Sequence, residues 1–75
     1  MARKQGIEIL AEMVANVMAV EVSPGDVVEA GQSVCLLESM KMEIPVIAER
    51  DGTVTAVKVG PGDVVQVGDV LIVLG

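Results

Sequence analysis

The sequence contains one segment twice, and this duplication constrains the fold more than any other feature. Shifted by 37 positions, residues 7–37 align without a gap on residues 44–74, and 14 of the 31 aligned pairs are identical. The most specific match is a Pro-Gly-Asp-Val-Val block, which occupies residues 24–28 and again residues 61–65. Self-similarity at a fixed period indicates two copies of one supersecondary unit.

The duplication decides the secondary structure of the first copy. Six of its apolar residues recur at a spacing that would suit an amphipathic helix: Ile7, Leu10, Ala11, Val14, Val17 and Met18. The second copy does not support a helix, because Pro45 would break it, Asp51-Gly52 is typical of a turn, and residues 53–59 are rich in β-branched side chains. If the two copies share one structure, both consist of β-strands.

Turn-forming residues divide each copy into short strands. Pro24-Gly25 and Pro61-Gly62 suit the central positions of type II turns, because Pro presets φ and Gly accepts a positive φ. Gly31 and Gly68 mark the next reversals. We therefore expect about four strands per copy, eight in all, related by a pseudo-two-fold axis. The 16 Val residues and the absence of aromatic residues imply a thin core, which favours a flattened all-β barrel or two-sheet sandwich.

Length and composition exclude several classes of function. The chain has 75 residues, of which residues 7–75 form one predicted domain, while residues 1–6 have no counterpart in the second copy and are expected to be frayed or disordered. The formal net charge of −6 disfavours binding to nucleic acid or to an anionic membrane surface. The chain has no His, so imidazole acid/base chemistry is absent and no metal site is expected.

The lone cysteine and the missing targeting signals indicate a cytoplasmic protein. Cys35 cannot form an internal disulfide, and it aligns with Ile72, so we expect it to be a small core residue. Glu8 and Glu12 interrupt any apolar segment behind the basic residues Arg3 and Lys4, so we expect no signal peptide there. A small domain without disulfides is typical of a reducing compartment.

Six residues connect the two copies: Glu38-Ser39-Met40-Lys41-Met42-Glu43. Apolar, strand-like segments flank them, so residues 38–43 are predicted to be a hairpin connector with Lys41 near its tip, at the end of the molecule opposite the termini. Burying a Met side chain stabilises a fold by about 1.5–3 kcal/mol, and a connector at a tip offers little core for two of them. Exposed thioethers suit contacts with partner proteins. The alternative is that both Met side chains fold back over the end of the barrel, which still leaves Lys41 projecting.

This connector resembles the Glu-Ala-Met-Lys-Met-Glu signature of biotinyl domains in biotin-dependent carboxylases and decarboxylases. The paired Gly-Asp turns, Gly25 to Gly31 and Gly62 to Gly68, are also similar to those of that family. The resemblance covers about residues 7–75. It implies a flattened β-barrel of two four-stranded antiparallel sheets, with the modified lysine on the central hairpin.

Carried over by position, the resemblance implies that the Nζ of Lys41 forms an amide with biotin, attached by a biotin protein ligase. It implies a biotin carboxylase and a carboxyltransferase as further partners, with the domain acting as a non-catalytic carrier between them. The residues implied in recognition by the ligase are Glu38, Ser39, Met40, Met42 and Glu43.

The sequence departs from the family pattern in three places. Ser39 replaces the commoner Ala, which is a small-for-small change. Residues 11–15, Ala-Glu-Met-Val-Ala, replace the Ala-Pro-Met-Pro-Gly of larger carboxylase domains, so the chain looks more like the small freestanding biotin/lipoyl attachment proteins. No insertion separates the strands of the first copy, so we expect no protruding thumb.

Three other functions compete with a biotin carrier. A lipoyl carrier on the same fold is disfavoured because lipoyl lysines usually lie in Asp-Lys-Ala, whereas Lys41 has Met on both sides, but acceptance of both cofactors stays open. An unmodified structural module of a membrane-fusion protein would carry a helical hairpin where this chain has only six residues. An enzyme using Glu38 and Glu43 as a carboxylate pair is disfavoured, because a chain of this size offers no pocket for them.

Overall fold

The computed structural model describes residues 7–75, which form strands and turns. The expectation of a frayed segment at residues 1–6 lies outside the described residues. No part of residues 7–75 is an apolar helix long enough to cross a membrane. The strands are β1 (Ile7–Leu10), β2 (Ala15–Val20), β3 (Val27–Val28), β4 (Ser33–Ser39), β5 (Met42–Ile47), β6 (Gly52–Val57), β7 (Val64–Val65) and β8 (Val70–Leu74).

The two sheets are equivalent and each contains strands from both copies. The first has the order β1-β8-β6-β3 and the second β5-β4-β2-β7, with antiparallel neighbours throughout. Exchanging each strand for its counterpart in the other copy converts one sheet into the other, which is the predicted pseudo-two-fold symmetry. The all-β prediction of two four-stranded sheets is confirmed, and the helical spacing of the first copy proves misleading. The copies are also interlocked, because neither supplies a complete sheet.

The longest connections between strands, residues 21–26 and 58–63, each run from one sheet to the other within a single copy. At residues 21–26 the N–H of Asp26 donates to the carbonyl oxygen of Ser23 at 3.0 Å, and Gly25 has φ 97°, which gives the predicted type II turn. The Asp26 carboxylate accepts the N–H of Ser23 at 2.8 Å. The N–H of Gly25 then donates to Val54 in the second copy at 2.8 Å. Because no connection between strands within residues 7–75 is longer than these, the described part of the chain has no protruding thumb.

The core is aliphatic and follows the same symmetry. Val34 is buried where Leu71 is buried, and Cys35 where Ile72 is buried, so the predicted core position of Cys35 is confirmed. Burial raises the pKa of the free Cys35 thiol, and a hydrogen bond with the Leu36 backbone opposes that rise. Among residues 7–75 no polar or charged residue is buried. The buried residues are Ala11, Ala15, Val17, Val22, Val28, Val34, Cys35, Leu37, Ala48, Val54, Val65, Leu71, Ile72 and Leu74.

The symmetry makes a quantitative prediction about stability. Val28 and Val65 are equivalent positions, 0% and 1% exposed, so we expect Val28→Ala and Val65→Ala each to lower the free energy of unfolding by about 2–3 kcal/mol. The adjacent Val27 and Val64 are 72% and 65% exposed, and their Ala variants serve as matched controls with little effect. Urea titration of the four variants measures this, and a large difference between the first two would contradict equivalent cores.

Candidate functional site

Only two residues of the connector lie outside the strands. The β4–β5 ladder continues through the pairs Glu38↔Glu43 and Ser39↔Met42, so the chain reverses at Met40 and Lys41. The six-residue connector predicted over residues 38–43 is therefore, in the structure, a two-residue turn with two further rungs of the ladder. Lys41 lies at the tip of the central hairpin, and the paired strands on both sides fix its backbone.

The turn has a backbone geometry that its sequence does not favour. Met40 has φ 54° and Lys41 has φ 64°. Two positive φ values in a two-residue hairpin loop are the mark of a type I′ turn, in which Asn and Gly are the preferred residues. For a residue with a Cβ this region costs roughly 1–2 kcal/mol. The β4–β5 ladder holds both residues in this conformation, which fixes the direction in which the Lys41 side chain leaves the hairpin.

The side chains of the turn are open to solvent. Met40 is 90% exposed and Met42 is 63% exposed, so the alternative in which both Met residues fold back over the barrel end is wrong. Lys41 is exposed as well, and no side-chain hydrogen bond within residues 7–75 involves it. The Lys41 amine is therefore accessible to a large partner, with a flexible thioether on each side of it.

Two glutamates lie together on one face of the hairpin. Glu38 and Glu43 are directly opposite each other in the ladder. Leu37 is buried and Ile44 is half-buried in the neighbouring rung, so the two glutamates point to the other face, away from the core. Like charges at directly opposite positions destabilise an antiparallel pair. The hairpin thus presents an acidic face beside Lys41 that fold stability does not explain.

Residues 14–16 of the first copy lie beside the hairpin, a contact that the sequence did not predict. Asn16 in β2 pairs with Glu38 in β4, which brings the start of β2 next to the turn. A shallow groove of about 310 Å³ results, lined by Val14, Ala15, Asn16, Glu38, Ser39, Met40 and Lys41. The sequence could not show this contact, because residues 14–16 and the connector are distant in the chain and meet only through strand pairing.

The other lysine of residues 7–75 is in a different setting. Lys58 follows the last residue of β6, and its backbone N–H donates to Leu71 at 2.8 Å. It is exposed, but it lies beyond a strand end and has an ordinary negative φ, without the turn geometry of Lys41. The two lysines therefore form a natural pair for comparison within one domain.

Comparison with known families shows which family this chain belongs to. The model of the family described as Biotin-requiring enzyme, which covers biotin and lipoyl attachment, matches residues 7–74, and the chain belongs to that family. The Biotinylated protein TB7.3 of Mycobacterium tuberculosis is 54% identical over 37 residues, 49% of this chain and 52% of that protein. A Biotin/lipoyl attachment protein of Bacillus subtilis is 54% identical over 33 residues, 44% of this chain and 45% of that protein. The alignment thus spans about half the length of the curated relatives.

Solved structures extend the likeness to the whole domain. The urea carboxylase of Kluyveromyces lactis superposes with a TM-score of 0.89 at 29% identity, covering 100% of this chain and 7% of the carboxylase. A single-chain long-chain acyl-CoA carboxylase gives 0.88 at 30% identity over 97% of this chain and 7% of that one. The lipoyl domain of the 2-oxoglutarate dehydrogenase complex from Azotobacter vinelandii gives 0.71 at 27% identity, over 83% of this chain and 78% of that domain. The fold is that of the carrier domains within carboxylases, as the resemblance implied.

Proposed function

We propose that this domain is a biotin carrier in which the Nζ of Lys41 forms an amide with biotin, added by a biotin protein ligase. The observation that carries the proposal is the free amine at a two-residue turn, between two exposed methionines, on the covalent link between the repeats. The ligase would recognise the surface around Lys41, which is formed by Met40, Met42, Ser39, Glu38 and Glu43.

The carried group is proposed to pass between two enzymes. A biotin carboxylase would load a carboxyl group onto the biotin, and a carboxyltransferase would remove it. The domain itself supplies no acid, base or nucleophile to either reaction in this proposal. It raises the effective concentration of the biotin ring at each partner site, while the four-carbon stem of Lys41 provides the reach of the arm. We place this cycle in the cytoplasm, where the free Cys35 thiol would stay reduced.

Binding to streptavidin tests the carrier proposal. Protein from cells that contain an active biotin protein ligase is expected to bind streptavidin, and protein from cells that lack the ligase is not. If the first preparation never binds, an unmodified structural module becomes the better explanation. The structure disfavours that explanation, because such modules carry a helical hairpin at this position and here β4 and β5 are connected by a two-residue turn.

Lipoate on the same lysine is the second candidate. The lipoyl domain from Azotobacter vinelandii and the Bacillus subtilis relative support it. Biotin is favoured, because both carboxylase structures superpose more closely than the lipoyl domain and TB7.3 is named as biotinylated. The intact mass of the modified protein distinguishes a biotinyl from a lipoyl increment, and a mixture would indicate that both are accepted.

Charge reversal on the acidic face should change ligation and stability in opposite directions. We expect Glu43→Lys to lower kcat/KM for biotinylation by about tenfold, because charge complementarity mainly assists encounter and specificity. The same change removes the repulsion with Glu38, so the free energy of unfolding should rise by about 0.2–1 kcal/mol. Glu49→Lys makes the same charge change at an exposed position outside the hairpin and is the matched control. Equal rates for the wild type and both variants would contradict a role for Glu43.

A further inference from the structure

The two copies are connected by one short turn and are held together by many contacts that need no covalent link. Strand β1 pairs with β8, β2 with β7, β3 with β6 and β4 with β5, and each of these pairs contains one strand from each copy. Every one of these pairings could be made equally well by the corresponding strands of a second molecule. Only the turn at Met40 and Lys41 belongs necessarily to a single chain.

That turn is also the strained part of the backbone. Met40 and Lys41 are the non-glycine residues with positive φ among residues 7–75. If the chain continued straight through both residues, each would adopt the ordinary extended conformation and the cost of the left-handed region would disappear. Short hinge loops under strain favour exchange of elements between molecules.

We propose that Met40 and Lys41 form a hinge and that a second copy of this chain is the partner that it serves. In the exchanged dimer, residues 33–47 form one continuous strand that pairs antiparallel with its equivalent in the other molecule. The register that pairs Ser39 with Met42 then pairs Met40 of one copy with Lys41 of the other. Each barrel contains residues 7–39 of one chain and residues 42–75 of the other, with the same core as the monomer.

The exchange changes the surroundings of the candidate modification site. Lys41 becomes a strand residue in the middle of a long ribbon, and the hairpin tip no longer exists. On the basis of the proposed function, the monomer is then the substrate of the ligase and the dimer is protected. We expect the dimer to be biotinylated at least about tenfold more slowly than the monomer, since a misplaced reacting group can lose that much rate or more.

Substitutions at the hinge test the proposal without altering Lys41. Each variant is refolded from denaturant at micromolar and at millimolar concentration, and the dimer is measured by size exclusion with light scattering. Relative to the wild type, Met40→Val should raise the dimer association constant about tenfold, because a β-branched residue resists positive φ. Met40→Asn should lower it by a similar factor, because Asn tolerates positive φ. Met42→Val, at a position without positive φ, is the matched control and should have no effect.

A disulfide identifies the exchange itself. Glu8 pairs with Val73 across β1 and β8, so Glu8→Cys combined with Val73→Cys should form a disulfide within one chain in the monomer and between chains in the exchanged dimer. Covalent dimers on a non-reducing gel, from the dimer fraction alone, are the expected result.

Absence of dimer in the wild type and in Met40→Val, or a dimer whose disulfides lie within single chains, would overturn the proposal. If the dimer is exchanged but the monomer does not accept biotin, the proposed function is wrong and the proposed exchange at the hinge is confirmed. If the monomer and dimer fractions are biotinylated at equal rates, the proposed protection of Lys41 in the dimer is wrong.

Discussion

The Lys41→Arg protein is expected to fold like the wild type and to acquire no biotin. Arg keeps the positive charge, but its guanidinium stays protonated and cannot serve as the nucleophile that an acylating enzyme needs. Lys41 is exposed and no side-chain hydrogen bond within residues 7–75 involves it, so we expect the midpoint of thermal unfolding to change by no more than about 2 °C. Biotin incorporation, measured by streptavidin binding after expression with an active ligase, should fall below detection.

The matched control for this variant is Lys58→Arg. It makes the same chemical change at an exposed lysine outside the hairpin, and biotin incorporation should equal that of the wild type. Residual biotin on Lys41→Arg, or its loss in Lys58→Arg, would contradict the assignment of Lys41. A large drop in the stability of Lys41→Arg would show that the lysine has a structural role that the contacts of the hairpin do not explain.

Moving the lysine by one position should abolish modification almost as completely. The double variants Met40→Lys/Lys41→Met and Lys41→Met/Met42→Lys keep the composition and charge of the hairpin while placing the amine before or after its present position. Met42 is a paired strand residue opposite Ser39, so an amine there would leave the ladder in a different direction from the turn. We expect the initial rate of biotinylation to fall about 100-fold or more, since small misplacement of a reacting group has effects of this size.

The permuted variants should unfold within about 1 kcal/mol of the wild type, because positions 40–42 are all exposed and contribute little to the core. Initial rates with purified ligase, ATP and biotin measure the effect. A rate within a few-fold of the wild type for either permutation would mean that the turn geometry does not select the lysine.

Much of the fold could be predicted from the sequence because the repeat carries the information. The strand β6, at residues 52–57, lies 37 positions after β2, at residues 15–20, and the two-residue strands β3 and β7 are spaced in the same way. The duplication corrected the interpretation of the helical spacing in the first copy, which arises from apolar residues on two consecutive strands of different sheets, β1 and β2, and on the loop between them. The order of the strands within each sheet was not predicted, because interlocking depends on contacts between distant parts of the chain.

The residues of the candidate site were predicted from the sequence, but the backbone geometry of its turn was not. Lys41 and its neighbours were identified from the connector, but the type I′ turn was not, because Met40 and Lys41 replace the Asn and Gly that normally signal it. The position of Asn16 beside Glu38 was equally hidden, since it follows from the β2–β4 register. Local sequence rules describe what a segment prefers, whereas here the pairing of β4 with β5 imposes a turn that the segment itself disfavours.

Peptide mass mapping of protein produced with an active biotin protein ligase tests the central assignment most directly. We expect one biotinyl increment per chain, confined to the peptide that contains Lys41, and an unmodified Lys58. A lipoyl increment in its place, biotin on Lys58, or a Lys41 that stays unmodified in the presence of the active ligase would contradict it.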